Sequence, residues 1–363
     1  MPIQGQLWLT IDTSSWGRVD PDTLETIQGA KVNVSSFVLN AHPACDREKD
    51  VCYVQHPCPH VSSPLGKDVC FSILVPTSGS GMQTKVLSRA EMNSSKIIQH
   101  SHSPCVTPNY VVSKLDAFVA RNPLNSNGGL LKYLRQGEDS LWFIMNRQTH
   151  ESKLIKGTFK FVNNHFWNCY ERDSEIVVET VTATEDYLDN YFQPNLARGA
   201  DWDKIFHKPQ RCTMSYDKGT ASCVPLLTED TVFDYPTFNP HFKMSSRYNF
   251  FYAIAVSSAD SPWFDKAIKV DANEGKTVAA WSSPGIYMSE FDVVPRTSST
   301  LADDEDDAVL TSILYNATDD TSLFGIFDCK DLSPISLTRM KSVVPFHAHG
   351  IVCPKGQRCF TNP

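Results

Sequence analysis

Short runs that alternate apolar and polar residues recur along the whole chain, and such runs are typical of β-strands. They are rich in β-branched and aromatic residues and are separated by turn-forming residues. The runs are Gln6–Ile11, Val51–Val54, Val69–Val75, Tyr110–Ser113, Leu141–Asn146, Glu175–Thr180, Arg247–Val256, Val309–Tyr315 and Leu323–Asp328. Amphipathic helical patterns are nearly absent, and only Phe118–Gly137 and Thr184–Gly199 leave room for short helices. The pattern predicts an all-β protein.

Many short strands joined by tight turns favour a sandwich, a barrel or a propeller. Two segments, Val19–Thr26 and Phe264–Thr277, have the strand–turn–strand form of the outer hairpins of propeller blades. Their repetition is too irregular to give a number of blades. Because no stretch has the composition of a linker, a single domain over residues 1–363 is expected.

Composition and charge narrow the range of functions. The 363 residues are 41% hydrophobic and 20% charged, with a formal net charge of −8. This acidic balance argues against general nucleic-acid binding, which needs a basic surface. No window approaches the roughly 18 apolar residues of a membrane-spanning helix, so any membrane contact is expected to be peripheral.

Cysteines and acidic residues give no independent sign of a site. The 11 cysteines have no zinc-ribbon spacing, and the pair Cys353 and Cys359 lacks a second half. They are interpreted as mostly buried free thiols in a reducing compartment, which favours a cytoplasmic location with membrane association left open. The acidic run from Asp303 to Asp307 is expected to be a solvated loop.

Four of the 11 histidines lie at the beginning or end of strand-like segments: His42, His102, His165 and His349. The first two intervals between them are nearly equal, at about 60 residues each, which suggests successive blades that each give one side chain to a common axis. Neutral imidazole is a good ligand for iron(II), and four nitrogens leave positions open for dioxygen or substrate. Taken singly, such a histidine is more often structural, and spacing alone does not establish a metal site.

The segments around these histidines resemble the carotenoid cleavage oxygenases, a family that includes animal carotene oxygenases, plant epoxycarotenoid dioxygenases and a retinoid isomerase. The resemblance is strongest in Asp12–Pro43, His102–Val112, His165–Val178, Asp234–Ala255 and Glu290–Gly350. It implies a seven-bladed β-propeller with short helices and loops over one face and with iron(II) on its axis. By motif, the iron ligands are His42, His102, His165 and His349, because the family pattern of His before Gly selects His349 over His347.

The resemblance also implies that three carboxylates orient the ligand rings, at Asp12, Asp234 and Glu290. Two of them are Asp where the family usually has Glu, so their reach is one methylene shorter. Ala348 stands where the family commonly has an aromatic that lines the substrate tunnel, and Phe346 is expected to compensate. The chain also begins later than a typical member, so a propeller that is incomplete at its N-terminus is expected.

The implied function is cleavage of a conjugated carbon–carbon double bond of a carotenoid or apocarotenoid by dioxygen, which gives carbonyl products. No catalytic side chain beyond the iron ligands is expected. Two alternatives stay open: a retinoid isomerohydrolase on the same scaffold, and a non-catalytic propeller that binds carotenoid or a protein partner. Tyr187–Leu196 resembles animal members, and Phe118–Leu134 lies where the family has an apolar membrane-entry patch. The oligomeric state is left open.

Overall fold

The computed structural model describes most of the chain as β-structure. The described residues are 2–3, 5–27, 32–33, 39–46, 48–59, 67–77, 81–92, 97–120, 134–136, 140–157, 162–184, 202, 209–244, 248–296, 305–345 and 349–352. They contain 27 strands and one 3₁₀ helix, Pro240–Phe242, which the side chain of Asn239 caps. The all-β prediction is confirmed. Within this part of the chain, no helix has the length and apolarity that a membrane span requires.

The chain forms two compact units. The first comprises Met1–Val178 and Cys212–Cys223, and the second comprises Glu179–Arg211 and Val224–Pro363. The single domain over residues 1–363 stays a prediction.

Two sheets form the beginning of the first unit. The first sheet has three strands in the order β1-β2-β3, and the second has five in the order β4-β8-β7-β6-β5. All their pairings are antiparallel except that of β4 with β8. The strands are β1 (Pro2–Ile3), β2 (Gln6–Leu9), β3 (Gly17–Val19), β4 (Val32–Asn33), β5 (Ala44–Asp46), β6 (Val51–Pro59), β7 (Lys67–Pro76) and β8 (Met82–Ala90).

The third sheet has the order β10-β11-β13-β14, with β9 and β12 also paired to the long strand β11. The fourth has the order β15-β16-β17-β18. The strands are β9 (Ile97–His100), β10 (Cys105–Val106), β11 (Tyr110–Ala120), β12 (Leu134–Gln136), β13 (Leu141–Asn146), β14 (Ser152–Lys156), β15 (Val162–Arg172), β16 (Glu175–Ala183), β17 (Gln210–Ser215) and β18 (Thr220–Pro225).

The second unit contains the fifth and sixth sheets. Their orders are β19-β20-β21-β22 and β23-β25-β26-β27, and β24 also pairs with β25. The strands are β19 (Phe233–Thr237), β20 (Phe250–Ala255), β21 (Lys266–Asp271), β22 (Lys276–Ser282), β23 (Ile286–Met288), β24 (Asp292–Pro295), β25 (Ala308–Asn316), β26 (Thr321–Asp328) and β27 (Pro334–Arg339).

Sheets of about four strands that follow one another along the chain are the arrangement of propeller blades. The described residues form six such sheets, so the prediction of seven blades was wrong. The number seven came with the family resemblance, because the repeats in the sequence are too irregular to count. The 27 described strands, at three to six a sheet, make up six sheets.

The predicted short helices are wrong where they can be checked. Residues 118–120 continue β11 and residues 134–136 form β12, which pairs with it. The β-branched and aromatic residues of Phe118–Ala120 suit a paired strand better than a helix. Residues 121–133 and 185–199 lie outside the described part of the chain.

Side-chain alternation explains how these strands pack. In β25 buried and partly exposed positions alternate, as in a strand that covers the core with one face. In β16 every residue after Glu175 is buried, which is typical of a strand covered on both faces. One tight turn depends on Gly275, whose φ of +65° is in the left-handed region and whose Cα faces the carbonyl oxygen of Leu226.

The described part of the acidic run before β25, which begins at Glu305, is not simply solvated. Glu305 is 1% exposed and accepts hydrogen bonds from the backbone N–H groups of Asn249 and Phe250. Asp306 pairs with the ammonium group of Lys269 at 2.7 Å. The prediction was wrong at these two positions because the carboxylates satisfy groups from the preceding sheet.

Eight of the nine described cysteines form four disulfides, so the prediction of free thiols was wrong for them. The pairs are Cys45–Cys52, Cys58–Cys70, Cys105–Cys169 and Cys212–Cys223. Three pairs join cysteines 7 to 12 residues apart, and packing between two sheets brings together Cys105 and Cys169, which are 64 residues apart. Cys329 is a buried free thiol, and burial raises its pKa to about 12.

Candidate metal centre

The site residues predicted from the sequence occupy equivalent places in successive sheets. His42 and His102 each lie three residues before a disulfide-bonded cysteine, which is Cys45 in the edge strand β5 and Cys105 in the edge strand β10. His165 lies within the edge strand β15. In the second unit, Asp234 lies in the edge strand β19, and Glu290 lies between β23 and β24. Five of the six described sheets therefore present a polar side chain at or next to an edge strand.

Three of the predicted ligands, His42, His102 and His165, form one cluster in the first unit. Their ring centroids are 4.8 Å apart for His42 and His102, 5.3 Å for His42 and His165, and 5.1 Å for His102 and His165. A nitrogen of each ring lies within 4.8 Å of a nitrogen of the other two. These histidines come from three different sheets, and we call them the histidine cluster.

Backbone and amide hydrogen bonds fix the relative position of two members of the histidine cluster. The N–H of His42 donates to the carbonyl oxygen of His102 at 3.3 Å. Next to it, the buried amide of Asn40 donates to the carbonyl oxygen of Ser101 at 2.6 Å and accepts the N–H of Gln55. Sequence reasoning missed Asn40; the only available signal was its position two residues before a candidate ligand.

Asp12 connects the same two segments. One of its carboxylate oxygens lies 2.8 Å from Nδ1 of His102, and the other accepts the N–H of Ala41 at 3.1 Å. Its own carbonyl oxygen accepts the N–H of Leu39 at 3.3 Å. The shorter side chain of Asp therefore reaches the ring. When Nδ1 is the protonated nitrogen of His102, Nε2 has its lone pair available for a metal.

Arg147 holds the far ends of the strands β5 and β10. Its guanidinium donates to the carboxylate of Asp46 and to the carbonyl oxygens of Thr107, at 2.6 Å, and Pro108, at 3.0 Å. The group is 5% exposed, and its Nε donates to the hydroxyl of Tyr53 at 3.1 Å. Burial acts to raise the pKa of Asp46, but the hydrogen bonds from Arg147 and from the Lys49 amide outweigh it and lower that pKa.

In the second unit, His349 has a carboxylate partner of its own. Oε2 of Glu290 lies 3.2 Å from Nδ1 of His349 and accepts the N–H of Gly350 at 3.1 Å. The Glu290 side chain is 5% exposed, and the ring of Tyr235 lies edge-on to His349 with centroids 5.4 Å apart. His349 thus has the same Nδ1–carboxylate arrangement as His102.

Asp234 is fully buried and sits in an irregular stretch of β19. Its Oδ1 accepts the N–H of Tyr235 at 2.7 Å, and the pairing of β19 with β20 shifts register between Asp234 and Thr237. Tyr235 has a φ of +54°, which is unusual for an aromatic residue. Strained backbone of this kind is concentrated at functional sites.

A second acidic residue, Asp292, lies close to Glu290. Burial and the nearby charge of Glu290 raise the pKa of Asp292 to about 7, and His349 acts in the opposite direction. Sequence reasoning missed this residue, because nothing in the sequence shows that a carboxylate at the start of β24 is partly buried beside Glu290.

His56, which is not one of the four predicted ligands, has a structural role. It is 1% exposed, its Nδ1 lies 3.0 Å from the carbonyl oxygen of Pro57, and its Nε2 lies 2.9 Å from the hydroxyl of Ser72. Several predicted features fall outside the described residues: Phe346, His347, Ala348, the segment Tyr187–Leu196 and residues 121–133 of the proposed membrane-entry patch.

The donor set of the histidine cluster suits a divalent transition metal. Imidazole nitrogens bind such metals at about 2.0–2.1 Å. The ring nitrogens of the cluster lie within 4.8 Å of one another, so small adjustments would let them share one ion. The carboxylate on the second nitrogen of His102 is the usual partner of a metal-bound imidazole. The residues present therefore fit a nitrogen-rich metal site.

Comparison with known proteins gives one family match. The family model described as retinal pigment epithelial membrane protein, RPE65, matches residues 1–353.

Solved structures show the same fold. A variant of the Synechocystis apocarotenoid oxygenase superposes with a TM-score of 0.76 at 17% identity, covering 96% of this chain and 72% of that one. Cobalt-substituted Synechocystis apocarotenoid oxygenase gives a TM-score of 0.75 at 18% identity, with the same coverage of both chains. A chimera of that oxygenase and RPE65 gives 0.74 at 18% identity.

Proposed function

The chain belongs to the RPE65 family, and from this premise we propose that it is an iron(II)-dependent oxygenase that cleaves a conjugated double bond of a carotenoid or apocarotenoid. The observation that carries the proposal is the histidine cluster with Asp12 on the second nitrogen of His102. One of the structural relatives is an apocarotenoid oxygenase, which supports a carotenoid or apocarotenoid substrate.

Four histidines would hold the metal. His42, His102 and His165 are already clustered, and His349 is proposed as the fourth ligand because Glu290 holds its Nδ1 as Asp12 holds that of His102. Asp234, which is buried, is proposed as the third orienting carboxylate. Bound iron(II) would supply the ability to activate dioxygen for addition across a carbon–carbon double bond.

The protein's own contribution is orientation. Asp12 and Glu290 would each accept an Nδ1–H, which would keep the proton on that nitrogen and direct Nε2 toward the metal. Because the imidazole ligands are neutral, the substrate would be held by the shape of the site and by apolar contacts. The two carbonyl products would contain both atoms of one dioxygen molecule. No side-chain base is required for this stoichiometry.

The test is metal content followed by turnover. Protein purified without oxygen is expected to contain about one iron per chain, and His102→Ala is expected to lose the iron while His150→Ala, in an exposed turn, retains it. The wild-type protein with a carotenoid and dioxygen is expected to give carbonyl products. Folded protein without iron would contradict the proposal.

A retinoid isomerohydrolase is the second candidate, because the matching family model is named after the retinal pigment epithelial membrane protein. Parallel assays with a retinyl ester and a carotenoid separate the two reactions. Ester cleavage without oxygen uptake would favour the isomerohydrolase, and carbonyl products with oxygen uptake would favour the oxygenase.

A further inference from the structure

A disulfide-bonded cysteine follows every member of the histidine cluster. Cys45 lies three residues after His42, Cys105 three residues after His102, and Cys169 four residues after His165. Cys45 and Cys105 lie on the strands that begin just after their histidines, and Cys169 lies on the strand that contains His165. Sequence reasoning treated the two residue types separately and did not connect them.

The disulfide between Cys105 and Cys169 joins two different sheets. Cys105 begins β10 and Cys169 lies in β15, and the two Cα atoms are 6.2 Å apart. Cys169 is 4% exposed and belongs to a buried cluster with Trp142, Ile144 and Val178, against which Cys105 packs. The bond is therefore a largely buried covalent link between the strand that follows His102 and the strand that contains His165.

The Cys45–Cys52 disulfide has a local role by comparison. It joins β5 to β6, where the two cysteines are directly opposed and their Cα atoms lie 4.0 Å apart. It secures the hairpin that follows His42. Among the four disulfides of the described chain, only Cys105–Cys169 has a member of the histidine cluster within four residues of both of its cysteines.

We propose that Cys105–Cys169 is a positioning link that holds His102 and His165 at the separation that metal binding needs. The metal-binding part of the inference rests on the proposed function, whereas the positioning of the two strands does not. The cross-link lies three residues from His102 and four residues from His165. Because extended chain covers at most about 3.3–3.6 Å per residue, the bond restricts how far the two histidines can move apart.

Formation of the link requires an oxidant. The two thiols together lose two protons and two electrons as the sulfur–sulfur bond forms, and a protein or glutathione disulfide accepts them and becomes two thiols. Such disulfides persist in oxidising compartments. The proposal therefore places the maturation of this protein in an oxidising compartment instead of the reducing one expected from the sequence.

The chain offers a matched control for this link. Cys212–Cys223 joins β17 to β18, neither of which bears a histidine of the cluster, and its Cα atoms lie 3.9 Å apart. Removing it also deletes a disulfide from the first unit, so it controls for general loss of stability.

The experiment uses the full chain expressed in an oxidising compartment, as wild type and as two double variants, Cys105→Ser with Cys169→Ser and Cys212→Ser with Cys223→Ser. Non-reducing peptide mapping after alkylation under denaturing conditions is expected to give a peptide that links Cys105 to Cys169, while Cys329 is alkylated. Alkylation of Cys105 and Cys169 in the wild type would overturn the proposal.

Two measurements then test positioning. Loss of Cys105–Cys169 is expected to speed hydrogen exchange in residues 101–106 and 165–169 and to weaken cobalt(II) binding about 10–100-fold, whereas the control variant keeps wild-type values at both. Unchanged exchange in those segments, or equal effects of the two double variants, would overturn the positioning role. If the wild type binds no cobalt(II), the proposed function fails, and the exchange measurement alone decides about the link.

Discussion

At the scale of single residues, the site depends on side chains that fix other side chains. Asp12 accepts from the backbone of Ala41 and lies on Nδ1 of His102, so one carboxylate sets both the path of the chain beside His42 and the direction of a ring. Glu290 does the same for Gly350 and His349. Loss of an outer partner of this kind typically lowers metal affinity about 10–100-fold.

Replacing Asp12 tests this role. Asp12→Ala is expected to weaken metal binding about 10–100-fold, because His102 loses the acceptor that fixes its tautomer and ring direction. Asp12→Glu restores the acid that the family usually has and is expected to retain binding. Asp22→Ala, in the exposed turn before β4, is the control. Cobalt(II) titration measures the affinities, and full binding by Asp12→Ala would refute the assignment.

His56 gives a pH dependence that is separate from the metal site. Burial lowers its pKa, so the folded protein keeps it neutral while the unfolded chain takes up a proton near pH 6.5. Its contribution to stability is therefore complete above about pH 6.5 and is lost as the pH falls below that value, by at most about 1.4 kcal/mol per pH unit.

We expect His56→Gln to lose less stability than the wild type between pH 7 and pH 5. Urea unfolding at several pH values measures the slope. His150→Gln, at an exposed turn, should follow the wild-type slope. A slope that is identical in the wild type and in His56→Gln would contradict the role assigned to burial.

At the scale of strands and turns, buried polar groups connect neighbouring elements. Arg147, at the end of β13, reaches Asp46 at the end of β5 and the carbonyl oxygens that follow β10. Glu305 satisfies the backbone at the start of β20 in the same way. Strand alternation places such residues in the correct sheet, and their partners come from other sheets.

Removing the guanidinium of Arg147 is expected to be costly. Arg147→Met leaves the buried carboxylate of Asp46 without its cation and should destabilise the protein by about 3–5 kcal/mol. The double variant Arg147→Met with Asp46→Asn should recover part of that loss, because the unpaired charge is gone. Urea unfolding tests this. Equal stability of the single and double variants would show that the charge pair does not matter.

Gly219 and Gly275 have nearly the same backbone conformation but differ in the space available for a Cβ atom. Comparing their alanine variants therefore separates the cost of the left-handed conformation from the cost of a steric clash. Gly219 has a φ of +64° with open space at the position of a Cβ, whereas a Cβ on Gly275, at φ +65°, would meet the Leu226 carbonyl. Gly219→Ala is expected to cost about 1–2 kcal/mol for the left-handed conformation alone. Gly275→Ala should cost more, and equal losses in urea unfolding would contradict the clash.

At the scale of the whole molecule, the four disulfides all lie in the first compact unit. Cross-links restrict the unfolded chain, and each typically stabilises a protein by about 2–4 kcal/mol. The described part of the second unit contains Cys329 as a free thiol. The two units are therefore expected to differ in their response to a reductant.

Reduction is expected to destabilise the first unit selectively. With a thiol reductant, hydrogen exchange should increase most within residues 39–178, and less within residues 248–345. The control is the same protein with intact disulfides at the same temperature. A uniform increase across both units, or no increase in the first, would argue against a structural role of the four bonds.

The sequence by itself determined the all-β character, the main strands and the residues of the histidine cluster. These follow from local features: alternation along a strand, turn-forming residues, and motifs around His42, His102 and His165 that resemble one family. Fold class is predictable in this way because each strand needs the correct side-chain pattern on its own.

Only the tertiary structure decided what depends on residues far apart in the chain. Among the described residues it gave six sheets instead of seven, joined Cys105 to Cys169 although they are 64 residues apart, and showed Glu305 to be buried. It also placed Asp12, 90 residues from His102 in the chain, on that ring. Pairings of this kind arise from the packing of strands from different sheets, and no local pattern encodes which distant partner a strand meets.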